Sequence, residues 1–272
     1  MQAAGPFLYA KEAELGLILG LAENLLSTFA ISTINTMPPR LLRLEENGQT
    51  SVAFIQTRPE AGAISHLNVE QASCLAAYLV ENNIVPQGVT GPSARLLSER
   101  ICALTGATAK RLMSLRVLAA DKVIPPRPRS GQALLATRED FERLFEFLEA
   151  FHFEAVPHDP WDPLRVRSVL EQKITRKFVY VWKDKGQTVA TAHISRPTRN
   201  GISISAVYTP PPLRGRGYAS NLMAQLTQEM LNQGRRFCVL FTDASNPTSN
   251  KIYESVGYRV IGESEHFLTV KV

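Results

Sequence analysis

Apolar positions in the first 120 residues predict a mixture of helices and strands. A broken apolar run from Leu15 to Ile31 has the spacing of a helix with one buried face. Asn47-Gly48 separates two shorter apolar runs, a common signature of a β-hairpin. Further along, the pattern predicts a helix over 69–81 with a capping box at Asn68 and Gln71, a helix over 93–104 closed by Gly106, and a strand over 111–120.

The segment DKVIPPRPRSGQ, residues 121–132, interrupts these patterns with prolines and arginines. Proline cannot continue a helix, and it cannot donate a hydrogen bond within a central strand. We therefore predict a linker here, between a domain of residues 1–125 and a domain of residues 130–272.

Helical and strand patterns return after the predicted linker, in a different order. Thr137 and Asp162 stand at the starts of two predicted helices, the second with Pro163 at its first position. Turns at 184–186 and 200–201 separate three strands. A helix to about Asn232, the strand RFCVLFTDA, a short helix after Asn246-Pro247 and closing strands from Tyr258 complete the series. The order α, α, β, β, β, α, β, α, β predicts an α/β fold with a mixed sheet and helices packed on it.

The two halves share a coarse pattern of hairpin strands, a glycine-containing loop and a helix. GVTGPSARLL at 88–97 and RGRGYASNLM at 214–223 could be equivalent segments. No fixed period repeats in the letters themselves. A degenerate tandem duplication is therefore one interpretation of the pattern.

The charge of the chain is unevenly distributed. Its 272 residues include 30 Lys and Arg against 25 Asp and Glu, a net charge of +5. Residues 1–125 contain ten of each kind, so the excess lies in residues 126–272, with 20 basic and 15 acidic side chains. A positive field in that half suits a polyanionic ligand. The lack of a lysine-rich run or of interleaved aromatic and basic residues argues against nucleic acid as a partner.

Cysteine usage and hydropathy predict a cytoplasmic protein. Cys74, Cys102 and Cys238 are far apart and lack CxxC spacing, which indicates neither a metal site nor a disulfide framework. The first apolar run is interrupted by Glu23 and Asn24 and follows an acidic flank, which argues against a membrane span and a signal peptide. We expect no membrane contact and a monomer or homodimer.

The stretch VYTPPPLRGRGYA, residues 207–219, joins a strand end, three prolines and a basic glycine loop (RGRG, residues 214–217) to a helix. The two glycines allow positive φ and close approach of a ligand to the backbone. The first N–H groups of the helix lack intrahelical partners, and the helix dipole favours an anion there. The pattern predicts a phosphate-sized anion site, although it is neither a P-loop nor a dinucleotide fingerprint. An ordinary turn with two solvated arginines is the alternative.

The same stretch resembles the acyl-CoA-binding motif of the GNAT superfamily of N-acetyltransferases. The core of that motif is Arg/Gln-x-x-Gly-x-Gly/Ala, represented here by Arg214, Gly217 and Ala219. LFTDASNPTSNKIYESVGY, residues 240–258, is similar to a second motif of the superfamily, one helix and one strand downstream. The resemblance implies a GNAT acyl-CoA N-acyltransferase fold, and the whole chain resembles bacterial two-domain members with a degenerate N-terminal half.

The resemblance also implies how the acyl donor, acetyl-CoA, binds. Its diphosphate would lie on the amides of the glycine loop and the following helix. Its pantetheine arm would add to the edge of the strand before the prolines, which end the strand pairing. The residues implied in cofactor binding are Val207, Tyr208, Thr209, Arg214, Gly215, Arg216, Gly217, Tyr218, Ala219, Ser220, Asn246 and Ser249.

Tyr253 is the candidate general acid. It follows Asn246 by about two helical turns. The resemblance implies that a tyrosine here protonates the departing CoA thiolate, which a phenol can do. Each residue also has a structural interpretation: Tyr253 packed on the sheet, and Asn246 as the cap of a helix that starts at Pro247. Ser249 and Asn250 could be solvated helix residues.

The general base does not follow from the pattern. A strand glutamate often serves in the family, but the predicted strands TAHIS and ISISAVYT contain no carboxylate. His193 could accept the proton of the amine, since its ordinary pKa is near ~6.5. Glu154, His158 and Asp159 lie between two helices, where the family usually builds its acceptor pocket. A buried strand histidine and solvated loop residues are the alternatives.

These observations favour an N-acetyltransferase that moves an acetyl group from acetyl-CoA to a primary amine of a small molecule or peptide. Direct attack in a ternary complex would depend on positioning and on backbone polarisation of the thioester. A non-catalytic acyl-CoA-binding regulatory module is the alternative that the missing strand carboxylate favours. A nucleic-acid-associated protein is a third class, supported only by the basic C-terminal half.

Overall fold

The computed structural model describes residues 3–28, 38–57 and 61–270. The helices are α1 Gly5–Ala10, α2 Gly16–Thr28, α3 Val69–Glu81, α4 Ala94–Thr105, α5 Phe141–Ala155, α6 Pro163–Thr175, α7 Tyr218–Asn232 and α8 Pro247–Val256. The strands are β1 Arg40–Glu46, β2 Gln49–Gln56, β3 Gly62–Ile64, β4 Gly88–Gly91, β5 Thr108–Ala120, β6 Gln132–Leu135, β7 Val179–Asp184, β8 Gln187–Pro197, β9 Gly201–Tyr208, β10 Phe237–Asp243 and β11 Arg259–Val270.

Contacts divide the chain into two compact units. The first contains residues 1–117, 241–246 and 260–272, and the second contains residues 118–240 and 247–259. The boundaries between the units therefore fall within strands β5, β10 and β11. The sequence instead predicts two contiguous domains. That contiguous division stays a prediction.

The first unit has the strand order β1-β2-β3-β4-β11-β5. Its pairs β1/β2, β2/β3 and β4/β11 are antiparallel, while β3/β4 is parallel. Helices α3 and α4 share one apolar core with Phe54 and Val89. Helices α1 and α2 pack in a second core with Ala53 and Ile55, the neighbours of Phe54 on β2. Because alternate residues of β2 point to opposite faces, helices cover both faces of this sheet.

The second unit has the strand order β10-β9-β8-β7-β6, with only β9/β10 parallel. One face carries Trp182 and Ile204 and packs on α7. The other face carries Val179 and Val181, which share a core with α5 and α6. His193 is paired with Val179 and so lies on the α5–α6 face. This mixed sheet agrees with the predicted α/β class.

Local signals predict several elements correctly. Asn47 and Gly48 both have positive φ, as the short hairpin turn requires. Asn68 and Gln71 form the reciprocal capping box of α3. Gly106 ends α4 in the left-handed conformation, and Asp162 accepts hydrogen bonds from the first amides of α6.

Other expectations need correction. The predicted closing strands are one strand, β11, because the polar run Gly262–Glu265 continues its extended backbone rather than forming a turn. Strands β3, β4 and β6 have three or four residues each, too few to show an alternating pattern. The first predicted helix extends to Ile31, which lies outside the described residues.

The predicted linker is anchored to the second unit. The Ile124 N–H donates to the Val256 carbonyl at 2.8 Å. Asn221 Nδ2 donates to the Arg127 carbonyl at 3.1 Å. The Trp182 Nε1–H donates to the Ser130 carbonyl at 2.9 Å. The proline-rich segment therefore follows a fixed course over this unit.

Candidate functional site

The glycine loop leaves the N-terminus of α7 uncovered by side chains of its own. Gly215 and Gly217 have φ of 75° and 80°, which favours glycine. A Cβ built on Gly215 meets no atom of the described chain within 4 Å. Gly217 is the residue before α7, and no side chain of the described residues caps the helix there. The backbone is therefore accessible at the position where the sequence predicts an anion.

The peptide nitrogens of this turn are candidate anion ligands. Among the described residues, the structure gives no hydrogen-bond acceptor to the backbone N–H groups of residues 215–220. The first backbone N–H that bonds back to the turn is that of Asn221, which donates to the Gly217 carbonyl at 3.1 Å. Such N–H groups at the positive end of a fifteen-residue helix suit a phosphate.

Arg129 adds a cation that the sequence did not single out. Its side chain lies over Gly217, with Nε 3.0 Å from a Cβ built on that glycine. The hydrogen bonds to the carbonyls of Arg127 and Ser130 fix the backbone on both sides of it. The described part of the chain gives the Arg129 guanidinium no hydrogen bond or ion pair. It is thus a solvated cation held beside the open turn.

Tyr218 and Asp184 anchor the first turn of α7. Tyr218 is buried, and its hydroxyl donates to Asp184 Oδ2 at 2.6 Å. This hydrogen bond lowers the pKa of the Asp184 carboxyl, and the charge of Arg216 contributes to the same shift. Arg216 itself donates to the Pro212 carbonyl at 3.2 Å. The Tyr218 side chain therefore supports the turn, and only its peptide N–H faces the candidate anion site.

Strand β9 leaves part of one edge unpaired. Its pairing with β10 covers only Gly201–Ser203, although β9 continues to Tyr208. A bulge interrupts its pairing with β8, because Ala206 and Val207 both lie opposite Ala192. Ala206 has a φ of 49°, which is strained for a residue with a Cβ. The end of β9 thus offers backbone groups outside a regular ladder.

Glu154 joins Arg214 and Tyr208 in one hydrogen-bonded cluster. Arg214 Nη2 donates to Glu154 Oε2 at 2.5 Å, and its Nε donates to the Thr209 carbonyl at 2.8 Å. The Tyr208 hydroxyl donates to Glu154 Oε1 at 2.7 Å. The Arg214 guanidinium also lies 5.5 Å from the centre of the Tyr208 ring. We call Glu154, Tyr208 and Arg214 the Glu154 cluster.

The protonation states of this cluster are set by its hydrogen bonds. Partial burial raises the pKa of the Glu154 carboxyl, but the hydrogen bonds from Arg214 and Tyr208 outweigh it and leave the pKa below its usual value. Burial and the bond to Glu154 raise the pKa of Tyr208 to about 12. At neutral pH the cluster therefore contains a carboxylate, a neutral phenol and a guanidinium.

His193 is far less accessible than its predicted role requires. The side chain is 1% exposed, and its Nε2 has no hydrogen-bond partner among the described residues. Burial lowers the pKa of the ring to about 3, and the charge of Lys173 adds to the effect. Lys173 is itself largely buried, which lowers its pKa to about 8. A neutral, enclosed imidazole argues against His193 as the base.

Tyr253 lies on α8 in the core of the second unit. It is 8% exposed and makes an edge-to-face contact with Tyr258, with ring centres 6.1 Å apart. Burial raises the pKa of its phenol. The structure describes no hydrogen-bond partner for its hydroxyl within the chain. The phenol therefore stays protonated at neutral pH.

A family comparison now identifies this region. The family model described as "Acetyltransferase (GNAT) family" matches residues 141–258. The match includes the glycine loop, the unpaired end of β9 and Tyr253. Residues 141–258 are thus similar to the GNAT family of acetyltransferases.

Solved structures resemble the chain over most of its length. A GCN5-related N-acetyltransferase from Sphaerobacter thermophilus has 18% identity and a TM-score of 0.61, covering 92% of this chain and 86% of its own. A GNAT-family acetyltransferase from Colwellia psychrerythraea has 14% identity and a TM-score of 0.58, covering 93% and 96%. A Drosophila protein has 13% identity and a TM-score of 0.63, covering 94% and 88%. A comparison with curated proteins gives no match.

The structural similarity extends to the part of the chain that lies outside residues 141–258. Each structure covers more than nine tenths of this chain, so the GNAT-type fold extends over both units. This agrees with a tandem arrangement.

Four further predicted site residues are Asn246, Ser249, His158 and Asp159. Asn246 is exposed, belongs to the first unit and donates its peptide N–H to the Asp243 carbonyl at 3.1 Å. Ser249 is half-buried in the first turn of α8. His158 and Asp159 are exposed in the loop between α5 and α6. Their predicted roles stay predictions.

Possible metal ligands, the length of the helices and the cysteines complete the description of the chain. Among the residues that the structure describes, no cluster of His, Cys, Asp and Glu side chains is arranged to hold a metal ion. No described helix has the length and hydropathy that a membrane crossing needs. Cys74, Cys102 and Cys238 are free thiols, of which only Cys238 is buried.

Proposed function

We propose that this chain is an N-acetyltransferase that moves an acetyl group from acetyl-CoA to a primary amine of a small molecule or peptide. The observation that carries the proposal is the open N-terminus of α7 inside the region that is similar to the GNAT family. Acetyl-CoA supplies the acyl group as a thioester. The attacking amine would meet it directly in a ternary complex, so no covalent enzyme intermediate is needed.

The diphosphate of the donor fits the glycine loop on geometry and charge. The N–H groups of residues 215–220 supply donors, and Arg129, Arg214 and Arg216 supply positive charge near them. The two glycines present no Cβ to the ligand. This set of donors matches a diphosphate better than a neutral ligand.

The pantetheine arm fits the unpaired end of β9. An extended chain of amides can bond to a free strand edge as an added strand does. The bulge at Ala206 and Val207 turns backbone groups out of the ladder, and an N–H there can stabilise the oxyanion that forms at the thioester carbonyl. The strand edge would therefore position the pantetheine arm, and the bulge would stabilise the oxyanion.

Glu154 and Tyr253 are the side chains we propose for proton transfer. Glu154 is an accessible carboxylate next to Tyr208, at the end of β9. It would take a proton from the incoming ammonium. Tyr253 would give its phenolic proton to the leaving thiolate. His193 is enclosed, and strands β8 and β9 contain no carboxylate. We therefore propose Glu154 as the base.

A non-catalytic acyl-CoA-binding module is the second candidate. The absence of a carboxylate from the described strands β8 and β9 favours it. It would use the same glycine loop but release no thiol. Turnover therefore separates the two functions.

Acetyl-CoA binding is tested by thermal unfolding of the full chain. A ligand that binds only the native state stabilises it by about 2.7 kcal/mol at a hundred times its Kd. We expect acetyl-CoA to raise Tm in a concentration-dependent way. No shift at millimolar acetyl-CoA would contradict the proposal in both its forms.

Catalysis is tested by thiol release over amino acids, polyamines, aminoglycosides and peptides with free N-termini. We expect turnover with at least one class. Tyr253→Phe should keep acetyl-CoA affinity and lower kcat about tenfold or more. No turnover with any amine would favour the binding module, and equal rates would remove Tyr253 from the mechanism.

Location and assembly complete the proposal. Free thiols at all three cysteines fit a reducing compartment, so we propose the cytoplasm. We propose a monomer or homodimer that acts without nucleic acid or membrane. Gel filtration with light scattering measures the assembly state.

A further inference from the structure

The Glu154 cluster contains one cation with two possible anionic partners. Arg214 belongs to the glycine loop, three residues before the helix cap Gly217. In the structure its guanidinium instead contacts Glu154 and the Thr209 carbonyl. The proposed diphosphate and the Glu154 carboxylate would therefore draw on the same side chain.

The ion pair between Arg214 and Glu154 is exposed enough for Arg214 to change its partner. The side chains of Arg214 and Glu154 are 46% and 43% exposed, so they can separate without opening the core. An ion pair at that exposure is weak. Tyr208 is buried by contrast, and its ring packs against Phe147 with centres 5.7 Å apart. One end of the Glu154 carboxylate is thus bound to a fixed phenol, and the other to a movable guanidinium.

Resting on the proposed function, we propose that cofactor binding takes Arg214 from Glu154 and thereby frees that carboxylate to act on the amine. The diphosphate binds Arg214 together with the amides of α7. Glu154 Oε2 loses its hydrogen bond to Arg214, while Oε1 keeps its bond from Tyr208. The freed Oε2 accepts one proton from the ammonium, which leaves a carboxylic acid and a neutral amine.

The exchange couples the two substrates in a defined order. Before the donor binds, Arg214 holds Glu154 in its less basic form, because that hydrogen bond lowers the pKa of the carboxyl. After the donor binds, one cause of the lowered pKa is gone. The amine is then deprotonated only when acetyl-CoA is bound. Donor binding therefore precedes productive amine binding.

The first test compares CoA affinity of the full-length wild type, Glu154→Gln and Glu149→Gln by calorimetry. Glu149 is an exposed acid on the same helix with no contact to Arg214, so its variant controls for the loss of one negative charge. We expect Glu154→Gln to bind CoA about two- to fivefold more tightly than wild type, the range that releasing an exposed ion pair gives. Glu149→Gln should match the wild type.

The second test uses the unmodified protein. The carboxyl ¹³C resonance of Glu154, assigned through its absence in Glu154→Gln, is titrated with and without saturating CoA. We expect its titration midpoint to move to higher pH when CoA binds.

The outcomes separate this inference from the function it rests on. CoA that binds the wild type but leaves the Glu154 midpoint unchanged or lower overturns the exchange and leaves the donor site intact. The same holds if Glu154→Gln binds CoA no more tightly than wild type. Failure of the wild type to bind CoA at all overturns both proposals.

Discussion

A glycine turn leads into a helix in both units, and the two turns differ in what surrounds the glycine. Before α4, a Cβ built on Gly91 would lie 2.1 Å from the Ile64 carbonyl oxygen. Before α7, a Cβ on Gly215 would meet no described atom within 4 Å, and one on Gly217 would meet only the Arg129 side chain. The first glycine allows close packing within the protein, and the second pair leaves backbone accessible.

The charged residues around the two turns also differ, because Arg95 in the first turn of α4 is paired with Glu265. The cavity beside Gly91 has a volume of about 10 Å³, which holds at most one water, and its lining includes Glu14 and Glu263 but no basic residue. Arg129 and Arg216 lie near the other turn. Similar sequence patterns thus give a closed turn in one unit and a candidate anion site in the other. This is what a degenerate copy of a binding site would look like.

The largest effect is expected from Gly91→Ala. The positive φ of this position is unfavourable for alanine, and its Cβ would clash with the Ile64 carbonyl. Together these effects should lower the free energy of unfolding by about 2–5 kcal/mol. Urea denaturation measures it. Gly106→Ala is the control, since Gly106 also has positive φ but an open side. If Gly91→Ala costs no more than Gly106→Ala, the packing role of Gly91 is wrong.

Gly217→Val should weaken CoA binding in addition to the strain that the positive φ of this position imposes on the fold. A branched side chain would cover the amides of α7 and meet Arg129, so CoA affinity should fall about a hundredfold, equivalent to losing one or two charge-assisted hydrogen bonds. Calorimetry measures the affinity. Gly234→Val, at the other end of α7 and also with positive φ and open space, controls for strain. Equal affinities in the two variants would refute the role of the glycine loop.

Arg129→Ala tests the cation that lies over Gly217. Losing one charged donor should weaken CoA binding about tenfold, with little change in Tm because Arg129 makes no bond within the described chain. Arg127→Ala is the matched control, because Arg127 contributes its carbonyl to Asn221 and that group is unchanged. A loss of affinity in Arg127→Ala as large as in Arg129→Ala would mean that general charge, and not position, governs binding.

Arg216→Ala should have the smallest effect and should still distinguish the two turns. Its side chain is exposed and already bonded to the Pro212 carbonyl, so we expect CoA affinity to fall about threefold. Arg95, in the first turn of α4, is its counterpart and pairs with Glu265 at 3.6 Å. Arg95→Ala should leave CoA affinity unchanged. A loss of CoA affinity in Arg95→Ala would indicate that the donor binds at the turn before α4 and not at the glycine loop.

Features encoded by neighbouring residues could be predicted from the sequence. The Asn47-Gly48 turn, the capping box of α3 and the start of α7 depend on backbone preferences within a few residues. The glycine loop was recognisable for the same reason. The short strand β4 was not, because its pairing with β3 and β11 lies outside the local pattern.

Contacts between distant segments explain most of what the sequence left out. Arg129 lies 88 positions before Gly217, within a proline-rich stretch that resembles a linker. Glu154 was a candidate, but its partners Tyr208 and Arg214 are 54 and 60 residues away. The face that His193 occupies follows only from strand register. Side-chain type suggested these residues, and tertiary pairing decided their environments.

The crystal structure of the full chain with CoA tests the central claim most directly. We predict that the diphosphate oxygens lie within hydrogen-bond distance of the N–H groups of residues 217–220, with Arg129 beside them and the turn before α4 empty of nucleotide. A diphosphate bound at the α4 turn or elsewhere, with residues 215–220 uncontacted, would contradict the account.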